Sequence, residues 1–290
     1  MSRFLEIVKR QFALAHVSGI PVRIDLRWLF VFALMSWLTA INLSPRYVDN
    51  FGSALILGAI TSSVLFLSIL FHEIAHSLVA RLEGIEVLEI VLHPFGGLSR
   101  FRREPDTPRA ELRIAIAGPA ASFMLALLFA LLMAAASAAG NETITLLLFF
   151  LVLWNFMIAV FNMFPGYPLD GGRVLRAYLW HRGTDINDAT IIAGRFGKVI
   201  AIVLIVFGIL AALFRGGLFT GLWTILVGIF LYDAARTIIR QVRQFDDMIV
   251  EEAMELAVTV APEMNLLEFI DTVLPLHRRT IYPVSRDRQF

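Results

Sequence analysis

The sequence predicts a polytopic membrane protein built mainly from α-helices, and two observations predict it: an apolar composition and several long apolar segments. Of the 290 residues, 58% are hydrophobic and only 17% are charged, and the mean hydropathy is +0.74. Soluble chains average about 25% charged residues, so this chain carries more apolar surface than water would accommodate. The net charge of +1 predicts no nucleic-acid partner. The absence of cysteine excludes disulfides and thiolate metal ligands.

Six segments approach or exceed the length of about 20 apolar residues that a helix needs to cross a bilayer. They cover residues 26–43, 53–80, 114–139, 143–164, 196–214 and 218–239. All Lys and Arg residues except Arg46 and Arg215 fall on one side of this arrangement. Because cytoplasmic loops carry the excess of basic residues, the sequence predicts a multi-pass protein of the cell membrane with both termini cytoplasmic.

The chain is expected to have three regions. Residues 1–25 mix charged and apolar positions without the layout of a signal peptide, and we expect an amphipathic surface helix followed by an extended piece over 19–24. Residues 26–240 form the six-helix transmembrane domain. Residues 246–290 are less hydrophobic and are expected to form a cytoplasmic module.

The segment 84–101 breaks the helical pattern between the second and third predicted spans. Val87, Glu89 and Val91 alternate among β-branched neighbours, and a proline and two glycines follow them. This pattern predicts a β-hairpin or re-entrant loop. Irregular backbone at membrane depth is tolerated only when it is buried in protein or lines a watery cavity, so this loop is a candidate part of a functional site.

The strongest chemical signal is an H-E-x-x-H pentad in the second predicted span. Residues four apart share one face of a helix, so His72 and His76 can direct their imidazoles at one metal ion. Glu73 can then act as the general base of a zinc hydrolase. Ionisable groups are costly in an apolar helix, which favours function over a chance match. Because Arg81 follows His76 by five residues, about 8 Å at ~1.5 Å per residue, the site is expected near the cytoplasmic face.

A catalytic zinc ion usually has three protein ligands and leaves one position for water, so the pentad requires a third ligand. Asp170 is the leading candidate because prolines precede it and two glycines follow it, in a segment that cannot continue a helix. A capping role at the start of the next helix is the simpler interpretation of Asp170. Asp233 in the last span and Glu89 in the hairpin are the alternative ligands.

The pentad, together with Asn162-Met163-Phe164-Pro165-Gly166-Tyr167-Pro168-Leu169-Asp170-Gly171-Gly172-Arg173, resembles the signature of the site-2 proteases, which are intramembrane zinc metalloproteases. Pro94-Phe95-Gly96-Gly97 and Gly118-Pro119 are also similar to stretches of that family. The resemblance implies one Zn²⁺ per chain, bound by His72, His76 and Asp170, with Glu73 as catalytic base. It further implies that Asn162 contacts the substrate or the developing oxyanion. Ser122 departs from the family pattern, in which many members have asparagine, and this weakens any role for that position.

The implied activity is regulated intramembrane proteolysis, with a single-span, membrane-tethered regulatory protein as substrate and the lipid bilayer as the surroundings. A transmembrane substrate must be unwound before its amides can be cleaved, and the hairpin could bind it as an added edge strand, with Gly96 and Gly97 allowing close approach of the backbones. A permease that uses the same His and Asp ligands as an ion site is the alternative function, and an inactive scaffold is a third. Glu73 favours the protease, because a permease needs no general base.

Residues 251–286 resemble the opening of a CBS module. Residues 258–262 would form its entry strand and residues 282–284 the strand after its helix. CBS motifs work in pairs and this sequence contains only part of one, so we expect no nucleotide binding by this region.

Overall fold

The computed structural model divides the chain into two compact units, Met1–Val242 and Arg243–Phe290. The residues that it describes are 11–43, 46–93, 96–214, 217–246, 260–274, 282 and 284. The elements in chain order are β1 (Gln11–Val17), β2 (Ile20–Asp25), α1 (Trp28–Leu43), α2 (Phe51–Leu82), β3 (Val87–His93), β4 (Gly96–Phe101), α3 (Pro108–Ala138), α4 (Glu142–Asn162), α5 (Asp170–His181), α6 (Ile186–Phe214) and α7 (Leu218–Asp246).

A four-stranded sheet in the order β1-β2-β3-β4 gathers the N-terminal strands and the predicted hairpin. β1 pairs antiparallel with β2, β2 pairs parallel with β3, and β3 pairs antiparallel with β4. The hairpin predicted within residues 84–101 is confirmed. The surface helix expected before Gly19 is wrong for residues 11–17, which form β1. Ser18 and Gly19 both have positive φ, 51° and 78°, which is the two-residue turn that joins twisted antiparallel strands.

The sheet packs on the first two helices through a cluster of buried side chains. Ile20, Val22 and Ile90 are at most 1% exposed, and they pack in one cluster with Trp28 and Phe66. The ring centroids of Trp28 and Phe66 lie 3.5 Å apart. The sheet therefore has a fixed position beside α2, the helix that carries the pentad.

Five helices are long and apolar enough to cross a membrane, as judged over the described residues. They are Phe51–Leu82, Pro108–Ala138, Glu142–Asn162, Ile186–Leu213 and Thr220–Arg243. The first predicted span, residues 26–43, corresponds to α1, which is apolar but only 16 residues long. Large apolar side chains cover the outside of the bundle, including Phe30, Leu131 and Val203, each more than 60% exposed. Such an outer surface suits lipid rather than water, so the chain is a multi-pass membrane protein.

The described part of the second unit is small. Asn265 accepts a hydrogen bond from the backbone of Glu268 and caps a helical turn, Leu266–Glu268, that continues as a π-helical turn over Phe269–Val273. Val260 and Val284 form an isolated parallel bridge. Most of the segment that resembles a CBS module lies outside the described residues, so that assignment stays a prediction.

Candidate metal centre

The two histidines of the pentad lie on one face of α2, and their Nε2 atoms face each other. His72 and His76 are 4% and 3% exposed, and their Nε2 atoms are 3.2 Å apart. One turn of helix separates them, as the i, i+4 spacing predicts. Glu73 is also buried, at 7% exposure. The sequence therefore buries all three polar side chains of the pentad inside the bundle.

The third ligand predicted for the site reaches it from a different part of the chain. Oδ2 of Asp170 lies 3.1 Å from Nε2 of His72 and 3.2 Å from Nε2 of His76. Asp170 is the first residue of α5, after a segment whose prolines and glycines end α4. Burial alone would raise the pKa of Asp170, but the adjacent imidazoles of His76 and His72 lower it well below its ordinary value. The carboxylate is therefore ionised.

The other nitrogen of each imidazole has a partner that fixes the direction of the ring. Nδ1 of His76 lies 2.6 Å from the backbone carbonyl of Ile114, and Nδ1 of His72 lies 2.8 Å from the Ser122 hydroxyl. Because a carbonyl only accepts hydrogen bonds, Nδ1 of His76 carries a proton. Its Nε2 can then offer a lone pair, which is the usual arrangement in which an outer partner orients a metal-binding histidine.

These three ligand atoms fit a tetrahedral zinc ion. With Zn–N and Zn–O bonds of about 2.0–2.1 Å, neighbouring ligands of a tetrahedron are about 3.3 Å apart, and the three separations observed are 3.1–3.2 Å. Three electron-rich atoms so close together require a shared cation or proton. His72, His76 and Asp170 are also the one group of potential metal ligands found among the described residues.

The alternative ligands lie elsewhere. Glu89 pairs with Arg23 at 3.2 Å and with Arg100 at 2.8 Å on the sheet, and Asp233 is exposed on α7. Asn162 is half-buried in the last turn of α4, where its Nδ2 donates to the carbonyl of Ile158. Neither acid belongs to the metal cluster, and among the described residues no hydrogen bond joins Asn162 to it.

The two glycines predicted to line the site are both in β4. Gly96 pairs with His93, the last residue of β3. Gly97 lies against Glu73, because a Cβ atom built on Gly97 would be 2.2 Å from Cγ of Glu73. A third glycine, Gly118 of α3, lies against the two imidazoles in the same way. The close approach of β4 and α3 to α2 therefore requires residues without a side chain at positions 97 and 118.

A buried ion cluster holds α5, and with it Asp170, against α3. Glu111 is 0% exposed and accepts hydrogen bonds from Arg173 at 3.0 Å and from Arg176 at 2.8 Å. Arg176 also pairs with Glu104 at 2.9 Å. No sequence pattern predicted this cluster or the contact of Ser122 with His72. The sequence feature that could have indicated Glu111 is its position as an acidic residue just before the apolar segment 114–139.

Comparison with known proteins identifies the class of this metal centre. The model of peptidase family M50 matches residues 60–138 and 131–208, which include the pentad and Asp170. The chain belongs to peptidase family M50. Rip3 from Mycobacterium tuberculosis is 37% identical over 94% of this chain and 70% of its own length. Zinc metalloprotease MJ0392 from Methanocaldococcus jannaschii is 31% identical over 93% of this chain and 74% of its own.

A solved structure, the site-2 protease from Methanocaldococcus jannaschii, has a similar fold. It has a TM-score of 0.54 and 29% identity, and the match covers 79% of this chain and 95% of that one. This M50 peptidase is therefore a zinc metalloendopeptidase of the site-2 protease type. The permease and scaffold alternatives are set aside.

Proposed function

We propose that this M50 peptidase hydrolyses peptide bonds within or near transmembrane helices of membrane-tethered regulatory proteins. His72, His76 and Asp170 would bind the zinc ion, and Glu73 would be the general base. The observation that carries the proposal is the convergence of three ligand atoms within 3.2 Å of one another, beside a buried glutamate, in a bundle with a lipid-facing outer surface.

Each part of the reaction has a residue to support it. When bound, zinc would polarise the scissile carbonyl and lower the pKa of a coordinated water. Glu73 would accept a proton from the attacking water and deliver it to the leaving amine. Ser122 and the carbonyl of Ile114 would keep the imidazoles in the orientation that binds the metal. Burial of these groups strengthens every electrostatic interaction among them.

The substrate would bind by pairing with β4 as an additional strand. β4 is last in the strand order, and among the described residues β3 is its one neighbour in the sheet. A peptide paired with β4 would lie beside Gly97 and therefore close to Glu73. Proline cannot donate a backbone hydrogen bond, so proline substitutions along β4 should impair cleavage in one alternating register. Indifference at every position would contradict this binding mode.

We also propose six membrane crossings with both termini in the cytoplasm. The hairpins β1–β2 and β3–β4 belong to one sheet and therefore lie on the same side of the membrane. The chain between Asp25 and Val87 must therefore cross the membrane through α1 and cross back through α2. A helix of 16 residues extends about 24 Å at ~1.5 Å per residue, and a crossing of that length suits a thinned bilayer. Ala40 and Leu43 pack with Ala54 at the far end of this pair.

Single-cysteine labelling tests this topology without background, because the chain has no native cysteine. Asp49 and Asp106 are both exposed. We expect a membrane-impermeant maleimide to label Asp49→Cys from outside the cell and Asp106→Cys only after the membrane is opened. Labelling of both from the same side would contradict a crossing by α2.

The test of the activity compares zinc content and cleavage in detergent-purified protein. The probe is a fluorogenic single-span polypeptide with an Asn-Gly pair in its span. Wild type and Glu73→Gln should each hold one zinc per chain, and only wild type should cleave the probe. Asp170→Asn should lose zinc and activity, whereas its matched control Asp233→Asn should keep both. Cleavage by Glu73→Gln, or full zinc in Asp170→Asn, would refute the assignment.

A further inference from the structure

β4 and α2 interlock through two residues of each element. Gly97 and Ser99 are two apart on a strand and therefore share a face. Glu73 and Ser77 are four apart on a helix and also share a face. Gly97 lies under the side chain of Glu73, and Ser99 lies between Glu73 and Ser77. The strand that would bind substrate thus contacts the helix that carries the general base.

The hydrogen bonds of this contact have one consistent direction. The Ser99 hydroxyl donates to Oε2 of Glu73 at 2.9 Å, and the Ser77 hydroxyl donates to Oγ of Ser99 at 3.2 Å. A second acceptor for Ser99, the backbone carbonyl of Glu73, lies farther away at 3.3 Å. A hydroxyl has one proton to donate and two lone pairs to accept with. Ser77, which is 0% exposed, therefore uses its proton on Ser99. The proton of Ser99 is then free for Glu73, whose carboxylate is a nearer acceptor than its backbone carbonyl.

This arrangement holds one oxygen of Glu73 and leaves the other available. Among the residues that the structure describes, no donor contacts Oε1 of Glu73. A glutamate side chain has three rotatable bonds, and ordering such a side chain costs conformational entropy. A charge-assisted hydrogen bond to Oε2 offsets that cost before substrate arrives. Oε1 is then kept at a constant position, where it can accept a proton.

We infer that Ser99 is a positioning residue for the carboxylate of Glu73, and that Ser77 sets the direction of the Ser99 hydroxyl. The inference rests on the proposed function, since it names what orients the base of that reaction. Its consequence is a direct link between two tasks. The strand that would pair with the substrate backbone also holds the carboxylate that activates water. The scissile bond and the general base would therefore have a fixed position relative to each other.

The kinetic test uses three serine variants and one matched control. Ser99→Ala removes the donor, Ser99→Thr restores a hydroxyl, and Ser77→Ala removes the group that directs it. Ser63→Ala is the control, because Ser63 is exposed on the same helix and donates only to the carbonyl of Ala59. Each protein is assayed for zinc per chain and for kcat and KM with the single-span probe.

With Ser99→Ala we expect kcat to fall roughly ten- to a hundredfold, since small misplacements of a catalytic group have costs of that order. KM and the zinc content should be unchanged, Ser99→Thr should recover most of kcat, and Ser77→Ala should show a smaller loss. Ser63→Ala should match wild type. An unchanged kcat in Ser99→Ala, a rise in KM instead, or a threonine variant no better than alanine would overturn the inference.

A measurement without substrate separates this inference from the proposed function. Thermal unfolding of Ser99→Ala, Glu73→Ala and the double variant forms a double-mutant cycle. A hydrogen bond between the two side chains predicts that the loss in Tm of the double variant is smaller than the sum of the single losses by about 2–4 °C. Additive losses would overturn the inference even in an active enzyme. If wild type cleaves no probe, the proposed function fails and this cycle still decides the role of Ser99.

Discussion

Replacing Gly118 with alanine should destroy the metal site while leaving the fold intact. A Cβ atom at this position would lie 2.2 Å from Nε2 of His76 and 2.6 Å from Nε2 of His72. These are about the distances at which zinc itself binds nitrogen, ~2.0–2.1 Å. The new methyl carbon would therefore occupy the space between the imidazoles where the metal must bind.

The size of the effect follows from the contacts. Non-bonded carbon atoms pack at about 3.5–4.0 Å, so each imidazole would have to move away by roughly 1 Å or more. Neither Nε2 atom could then bind the same metal ion as Asp170. Loss of an outer partner of a metal ligand alone weakens binding about 10- to 100-fold. Displacing two direct ligands should therefore weaken zinc binding by at least ~100-fold, or about 2.7 kcal/mol.

The assay is zinc competition with a chromophoric chelator, together with zinc per chain after dialysis. Gly217→Ala is the matched control, because the nearest atoms to a Cβ there are those of Thr220 at 3.9 Å. Alanine has a higher helix propensity than glycine, so a loss of zinc could not be attributed to a weakened helix α3. Wild-type zinc affinity in Gly118→Ala would refute the inference that both Nε2 atoms converge beside this glycine.

Three further substitutions test other contacts of the site. Gly97→Ala should abolish cleavage of the single-span probe but keep one zinc per chain, because its Cβ would meet Cγ of Glu73 at 2.2 Å; loss of zinc would contradict this. Ser122→Ala removes the hydroxyl 2.8 Å from Nδ1 of His72 and should weaken zinc binding about tenfold in the chelator assay, so unchanged affinity would argue against an orienting role. Glu111→Gln removes the buried carboxylate that pairs with half-buried Arg173 and with buried Arg176, which keeps only its pair with exposed Glu104, and should lower the free energy of unfolding by about 3–5 kcal/mol. A change in Tm below 2 °C on thermal denaturation would contradict that estimate, since ~1 kcal/mol corresponds to about 2–4 °C.

Local sequence patterns were sufficient for much of the fold. The long apolar segments predicted the membrane helices, and the alternation of Val87, Glu89 and Val91 predicted the hairpin that forms β3 and β4. The same reasoning was wrong for β1, because residues 12–15 are apolar at every position and show no period of two. Pairing with β2 decided the conformation of that segment.

The pentad is the part of the site that the sequence determined by itself. His72, Glu73 and His76 are within one helical turn, and helix geometry alone places the two imidazoles on one face. The identity of the third ligand was different. The sequence around Asp170 did not exclude Asp233 or Glu89 as the third ligand. Only the structure places Asp170 3.1 Å from the imidazole of His72, which is 98 residues away in the chain.

Tertiary structure alone decided what surrounds the pentad. Ser122 is 50 residues from His72, Ser99 is 26 from Glu73, and Arg173 is 62 from Glu111. A serine or glycine in an apolar chain has no local pattern that reveals its partner, because its hydrogen bond or close contact exists only after separate helices and strands pack. The sequence thus determined which residues carry the chemistry within one helix, and packing decided how the rest of the chain holds them in place.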